Sequence, residues 1–167
     1  GEWNTYVEET ITPIKEQFFG ADTQTRNKPE KIRDINVQKN IRIDTLDNEL
    51  NRVLGGGIVP GSLILIGGEP GIGKSTLALQ LALRLRQAKT LYISGEESAQ
   101  QIRLRAERLG SFNEAECLVY TETNLDNILN IAQSVRPGLL IIDSIQTLSS
   151  DHIESSPGSV SQVRENA

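Results

Sequence analysis

Residues 68–75 read Gly68-Glu69-Pro70-Gly71-Ile72-Gly73-Lys74-Ser75, followed by Thr76. This is G-x-x-x-x-G-K-[ST] without a mismatch, the spacing of a phosphate-binding loop. Glycines let the backbone curl until several N–H groups face one anion. The loop feeds a helix, whose first N–H groups and positive dipole end favour phosphate. Lys74 would reach the β- and γ-phosphates, and the Ser75 hydroxyl would ligate Mg²⁺. A glycine-rich turn between strand and helix is the plain alternative. The complete match and the strand-loop-helix setting favour nucleoside triphosphate binding.

Carboxylates come next. Asp143 ends the aliphatic run Leu139-Leu140-Ile141-Ile142. In open parallel sheets, ligands bind beyond the carboxyl ends of the strands. Asp143 would then lie beside the phosphate loop and hold the Mg²⁺ hydration shell. Glu96 and Glu97 end a neighbouring strand, where a carboxylate can orient and polarise an attacking water. Glu96, nearer the strand, is the preferred base and Glu97 the alternative. Both could instead complement the dipole of the helix that follows. Arg103, Arg105 and Arg108 crowd that helix. Such a run is usually a solvated face, but Arg103 lies close enough after the glutamates to stack on an adenine. His152 sits in a polar loop and reads as solvent-exposed.

The elements that must position these groups follow from periodicity. Residues 1–40 are polar, with Pro13 and Pro29 breaking any long helix. They read as a linker, with Trp3 and Tyr6 free to pack on a neighbouring module. Ile41 and Ile43 alternate like a short strand, and Leu46, Leu50, Val53 and Leu54 then fall at helical spacing. Gly55-Gly56-Gly57 stops that helix. Residues 63–67 read as the strand before the phosphate loop. Leu77, Leu81 and Leu85 mark the helix after it. Leu91-Tyr92-Ile93 is a strand. Ser98 with Gln101 can form a capping box for a helix that buries Ile102, Ala106 and Leu109 and stops at Gly110. Residues 117–120 form a strand, and Thr123 with Asp126 reads as the next N-cap. Pro137-Gly138 turns into the strand at 139–143. Strands alternating with helices predict an α/β fold with a mainly parallel sheet. Residues 149–161, rich in serine with Pro157-Gly158, predict a mobile loop.

Composition sets outer bounds. The chain has 167 residues, 37% apolar and 4% aromatic, with a net charge of −5. That length suits one domain. The acidic balance argues against general attraction to nucleic acid or anionic membranes, though not against a local basic site. No Met occurs, not even an initiator, which suggests a piece of a longer chain. The one cysteine, Cys117, excludes an internal disulfide and a Cys-only zinc site within this sequence. Beside Leu118-Val119-Tyr120 it reads as a buried strand thiol. No apolar run is long enough to span a bilayer, so the expectation is a cytoplasmic protein without a membrane partner.

Taken together, LNRVLGGGIVPGSLILIGGEPGIGKSTL, LYISGEES with IRLRAERLG, and LLIIDSIQTL with SSPGSVSQVRE resemble the RecA-like ATPases. Within them they resemble the bacterial RadA (Sms) DNA-repair family. The likeness covers about residues 41–166. It implies a RecA-like P-loop fold, with residues 41–167 as the N-terminal part of the ATPase domain. Gly1-Glu2-Trp3-Asn4 is similar to the tail of that family's four-cysteine zinc ribbon, so zinc would belong only to a ribbon preceding this sequence. The resemblance further implies ATP and Mg²⁺ as ligands, ATP hydrolysis, a ring-shaped homo-oligomer, and handling of single-stranded or branched DNA. It places Lys74 and Ser75 on phosphate and magnesium, Glu96 at the water, Asp143 near the metal, and residues 149–161 toward DNA.

There are departures. Thr45-Leu46 and Asn51 stand where the family more often has T-G and the Asp of L-D-R-V-L, and Asn166 stands where a cysteine is expected. The family's K-N-R-F-G motif and Lon-protease-like domain are absent from this sequence. So is the later strand that separates the phosphate-loop strand from the one ending in aspartate. Three responses are open: 63–67 pairs with 139–143, another segment or chain fills the gap, or the remaining strand belongs to a part of the molecule outside this sequence. Pairing or filling is the preferred expectation, with impaired hydrolysis as its consequence. A KaiC-like signalling ATPase shares the loop and the paired glutamates and is one rival. A non-catalytic interaction module is the other.

Overall fold

Strand β1, Thr90–Ser94, is buried at every position and lies at the centre of the sheet. Leu91-Tyr92-Ile93 is the β-branched and aromatic pattern that suits such a strand. In this computed structural model, which describes residues 31–34, 41–110, 116–150 and 159, β1 is flanked by β2, Cys117–Thr121, and β3, Leu139–Asp143. All pairings are parallel, with Thr90 opposite both Cys117 and Leu139, and Ser94 opposite both Thr121 and Asp143. Equal registers bring the carboxyl ends of the three strands level. The parallel sheet expected from the alternating pattern is thus present.

Helices cover both faces. Leu79 and Ala82 of α2, Lys74–Arg84, pack on Tyr92 with Ile102 and Ala106 of α3, Ala99–Leu109. On the opposite face Leu91 and Ile93 pack against Ile128 of α4, Leu125–Val135, and against Leu148. The alternation of side chains along β1 divides the core in this way. Each fully buried Leu or Ile contributes about 1.5–3 kcal/mol relative to exposure.

Local chemistry sets the helix ends. The Ser98 and Gln101 capping box is formed, and Gly110 caps α3 with φ 82°. Before α4 the cap is Asn124, whose side chain accepts from the Asn127 N–H, rather than Thr123. The reason is Glu122: its carboxylate accepts from the N–H groups of Thr123 and Asn124 and from the Asn127 side chain. These bonds hold the Glu122 carboxyl below its usual range, the Asn124 N–H having the largest effect. The helix α1, Asn48–Val53, is shorter than the spacing of leucines suggested. Asp47 caps it, and Leu46 lies outside with φ 56° and an exposed side chain. Ile43 makes one antiparallel bridge, to Ile58, in place of a strand.

The larger correction concerns residues 63–67. They are unpaired, and no strand is formed there. Their exposures still alternate, with Leu63 at 88% and Leu65 at 82% against Ile64 at 41% and Ile66 at 40%. A strand needs a neighbour, and β3 does not supply one: among the described residues its second edge is open. Because the segment is exposed, water can satisfy its backbone groups, so no buried N–H is orphaned. Neither expected response to the gap, direct pairing or filling, is present among the described residues.

The chain divides into two compact units, Gly1–Gln38 and Lys39–Ala167. Of the first, a short 3-10 helix at Ile32–Asp34 is described. The readings made for Trp3, Tyr6, His152 and most of the 149–161 loop lie outside the described residues. Among the described residues no helix is long and apolar enough to cross a membrane.

Candidate nucleotide site

The phosphate loop is shaped by its glycines. Gly71 has φ 79° and Gly73 φ 103°, a region that L side chains rarely adopt. Gly73 is the N-cap of α2 and offers no capping side chain, so the first N–H groups of that helix are left for another acceptor. Glu69, Pro70 and Ile72 are exposed around the curl, and Thr76 is half-buried one residue into the helix beyond Ser75. The Lys74 Nζ donates to the carbonyl oxygens of Gly68 and Glu69, each at 2.9 Å. An ammonium has three donors, so one N–H remains for a ligand.

Ser75 and Asp143 meet although the segment before the loop is not in the sheet. The Ser75 Oγ donates to Asp143 Oδ1 at 2.8 Å, across 68 residues of chain. Asp143 ends β3 and Ser75 lies in the first turn of α2, so the contact ties the loop to the carboxyl edge of the sheet. Asp143 Oδ2 accepts from the Tyr92 hydroxyl at 2.5 Å. Burial, and then the Asp143 carboxylate, push the Tyr92 phenol well above its ordinary range, so it acts only as a neutral donor and acceptor.

The two glutamates have different surroundings. Glu96 is exposed, and its Oε1 accepts from the Ser144 hydroxyl at 3.1 Å. Glu97 Oε2 lies 2.7 Å from Arg105 Nη2 as an ion pair, but off the hydrogen-bond line. Arg103 instead pairs with Glu107 one helical turn on, with its Nε 2.9 Å from Oε1. It does not line the groove described below. Of the predicted site residues, the structure brings together Lys74, Ser75, Glu96 and Asp143. Glu97 joins them only through Arg105, and Arg103 stands apart on its helix.

Three residues escaped the sequence reading: Tyr92, Arg105 and Ser144. In sequence Arg105 reads as one of a solvated arginine run. Its position three residues after Ile102 and four before Leu109 puts it along the buried face of α3, and that spacing is the available signal. Ser144 carried no signal beyond following Asp143.

A groove of about 680 Å³ runs from the loop to the open edge of β3. Lys74, Ser75, Glu96 and Asp143 line its polar end, while residues 63–66 and 139–142 form its apolar flanks. Gly95 supports the polar end from behind. A Cβ there would sit 2.6 Å from the Thr147 Cβ and 3.0 Å from the Thr123 Cγ2. Thr147 in turn donates to the Ser144 carbonyl at 2.7 Å, so a methyl would disturb the turn that carries Ser144. Gly95→Ala is expected to lower unfolding stability by about 1–3 kcal/mol in urea titrations, from overpacking. A variant as stable as its parent would show that the turn yields freely.

The donor set suits magnesium. A hydroxyl and a carboxylate are hard oxygen ligands, and Mg²⁺ is commonly held by one or two carboxylates with phosphates and water completing its shell. Among the described residues no group of three His, Cys, Asp or Glu could hold a metal alone. Cys117 is partly buried, and that burial pushes its thiol up to about 11, away from nucleophilic use.

Residues 26–163 match the family model described as an AAA domain. The chain is 48% identical over 170 residues to the DNA repair protein RadA of Bacillus subtilis (strain 168), covering 99% of this chain and 37% of the relative. It is 50% identical over 168 residues to that of Halalkalibacterium halodurans, covering 98% and 36%. With that of Streptococcus pneumoniae (strain R6) it shares 54% over 144 residues, covering 86% and 34%. The chain thus spans about a third of the length of the curated relatives it matches. Given a complete phosphate loop, an aspartate at its serine and a parallel sheet beneath them, the chain belongs to the AAA domain family, with an α/β fold of RecA-like P-loop type.

Proposed function

We propose that this chain is the nucleotide-binding part of a cytoplasmic DNA-repair ATPase, with residues 1–40 as a linker and 41–167 as the N-terminal part of its RecA-like ATPase domain. ATP binds at residues 68–76, with Lys74 on the β- and γ-phosphates. Ser75 and Asp143 would hold Mg²⁺, which when bound offsets charge between the phosphates. Glu96 takes a proton from the attacking water. The protein works as a ring-shaped homo-oligomer on single-stranded or branched DNA. The observation that carries the reading is the 2.8 Å contact of Ser75 with Asp143. Residues far apart in sequence, each expected at the metal for its own reason, converge there. The DNA-repair part of the reading is supported by the likeness to the DNA repair protein RadA of two bacteria.

The test is ATP hydrolysis by the intact protein with and without single-stranded DNA. Turnover that rises with DNA is expected. Turnover indifferent to DNA would favour a KaiC-like signalling role, and bound ATP without turnover a non-catalytic module. Absence of ATP binding would overturn the site itself.

A further inference from the structure

Behind the predicted metal carboxylate lies a chain of polar groups that the nucleotide reading does not use. Asp143 has both oxygens engaged, Oδ1 by Ser75 at 2.8 Å and Oδ2 by the Tyr92 hydroxyl at 2.5 Å. Tyr92 is fully buried in the central strand. Its one proton goes to Asp143, so its oxygen is free to accept, and Arg105 Nη2 donates to it at 3.2 Å. The same nitrogen lies 3.8 Å from Asp143 Oδ2 and 2.7 Å from Glu97 Oε2. Donors and acceptors therefore run in one direction, from the guanidinium through the phenol to the carboxylate. Glu97 fixes the far end.

We propose that Tyr92 and Arg105 are positioning residues for Asp143: the Glu97–Arg105–Tyr92 relay holds one carboxylate oxygen inward so that the other faces Ser75 and the metal. A buried tyrosine needs a partner wherever it lies, and the competing explanation is that Asp143 merely satisfies this hydroxyl. The relay explains more. It accounts for a partly buried arginine on α3 whose guanidinium reaches the loop after β1, the phenol of β1 and the end of β3 together. It also gives Glu97 a role distinct from that of Glu96. Carboxylates at metal sites are commonly oriented by such outer partners, whose loss costs about 10–100-fold in metal affinity.

The proposal rests on the nucleotide site proposed above, and its test separates the two. ATP affinity of the intact protein would be titrated with Mg²⁺ and again in EDTA. The comparison takes wild type, Tyr92→Phe, Arg105→Gln, the double variant and Arg105→Lys. Phe keeps the packing of Tyr92 and removes only the hydroxyl. The Mg²⁺ midpoint for nucleotide binding is expected to rise about tenfold in Tyr92→Phe and in Arg105→Gln. Affinity in EDTA is expected to stay as in wild type. The double variant should be no weaker than the weaker single, since both break one tether. Arg105→Lys should fall between, because an ammonium keeps the charge but lacks the fork that reaches two partners.

Wild-type Mg²⁺ midpoints in both single variants, with or without a drop in melting temperature, would overturn the relay and leave the nucleotide site intact. If wild type itself binds ATP equally with Mg²⁺ and EDTA, the metal reading fails and the relay with it. Should Tyr92→Phe fail to fold, Arg105→Gln decides alone, its side chain being 19% exposed.

Discussion

Replacing Lys74 with alanine is expected to weaken ATP binding by about a hundredfold or more. A charge-assisted hydrogen bond to phosphate is worth about tenfold to a hundredfold in affinity, and the third ammonium N–H is left to make one. The structure adds a second reason. Lys74 Nζ bridges the Gly68 and Glu69 carbonyl oxygens at 2.9 Å each, so it also holds the curl of the loop. Alanine removes that bridge between the two carbonyl oxygens. Titration of labelled ATP against the wild type and Lys74→Ala measures the effect. Equal affinities would mean that the loop is a turn and not a phosphate site.

Much of this site was legible because its parts are local. The loop is a contiguous string, the Ser98 and Gln101 capping box spans one turn, and the runs at 91–93 and 139–143 are continuous apolar strands. Each is decided by residues that are neighbours in sequence. The failures are of another kind. Leu63-Ile64-Leu65-Ile66 has strand chemistry and a strand-like alternation of exposure, but pairing is a property of two segments. No pattern in one run can say whether its partner is in place. The tie between Tyr92 and Asp143 spans 51 residues and depends on the equal register of β1 and β3. The sequence marks neither end as belonging to the other. Thr123 and Asn124 show the same limit on a small scale. Both suit an N-cap, and the Glu122 carboxylate tips the choice by taking the two N–H groups.

The open edge of β3 bears on catalysis. The RecA-like resemblance assigns that place to a later strand, and a groove lies there between residues 63–66 and 139–142. Even so, Ser75 and Asp143 remain in contact at 2.8 Å. The sheet gap therefore does not by itself separate Ser75 from the carboxylate. The reason is that α2 packs on β1 through Leu79, Ala82 and Tyr92. The loop is positioned by the helix that follows it as well as by the segment before it.

Glu96→Gln in the intact protein is expected to lower turnover by about 10²–10⁴-fold while leaving ATP affinity within about threefold of wild type. Gln keeps the length and shape of Glu but cannot accept the proton that the attacking water must lose. The choice of Glu96 over its neighbour now has a structural argument. Glu96 is exposed at the polar end of the groove, and its carboxylate is oriented by the Ser144 hydroxyl at 3.1 Å. Ser144 directly follows Asp143, so the base on the loop after β1 is tied by a hydrogen bond to the end of β3 that carries the metal carboxylate. Glu97 Oε2 is committed to Arg105 at 2.7 Å, on the inner side of the site. Its neutralisation releases one end of the relay instead of removing a base. Glu97→Gln should therefore reduce turnover by about tenfold or less, and raised Mg²⁺ should recover it. Single-turnover hydrolysis and equilibrium ATP binding, each measured for both variants across a Mg²⁺ series, separate the roles. Full activity in Glu96→Gln, or a loss in Glu97→Gln that Mg²⁺ cannot restore, would transfer the proton-accepting role to Glu97.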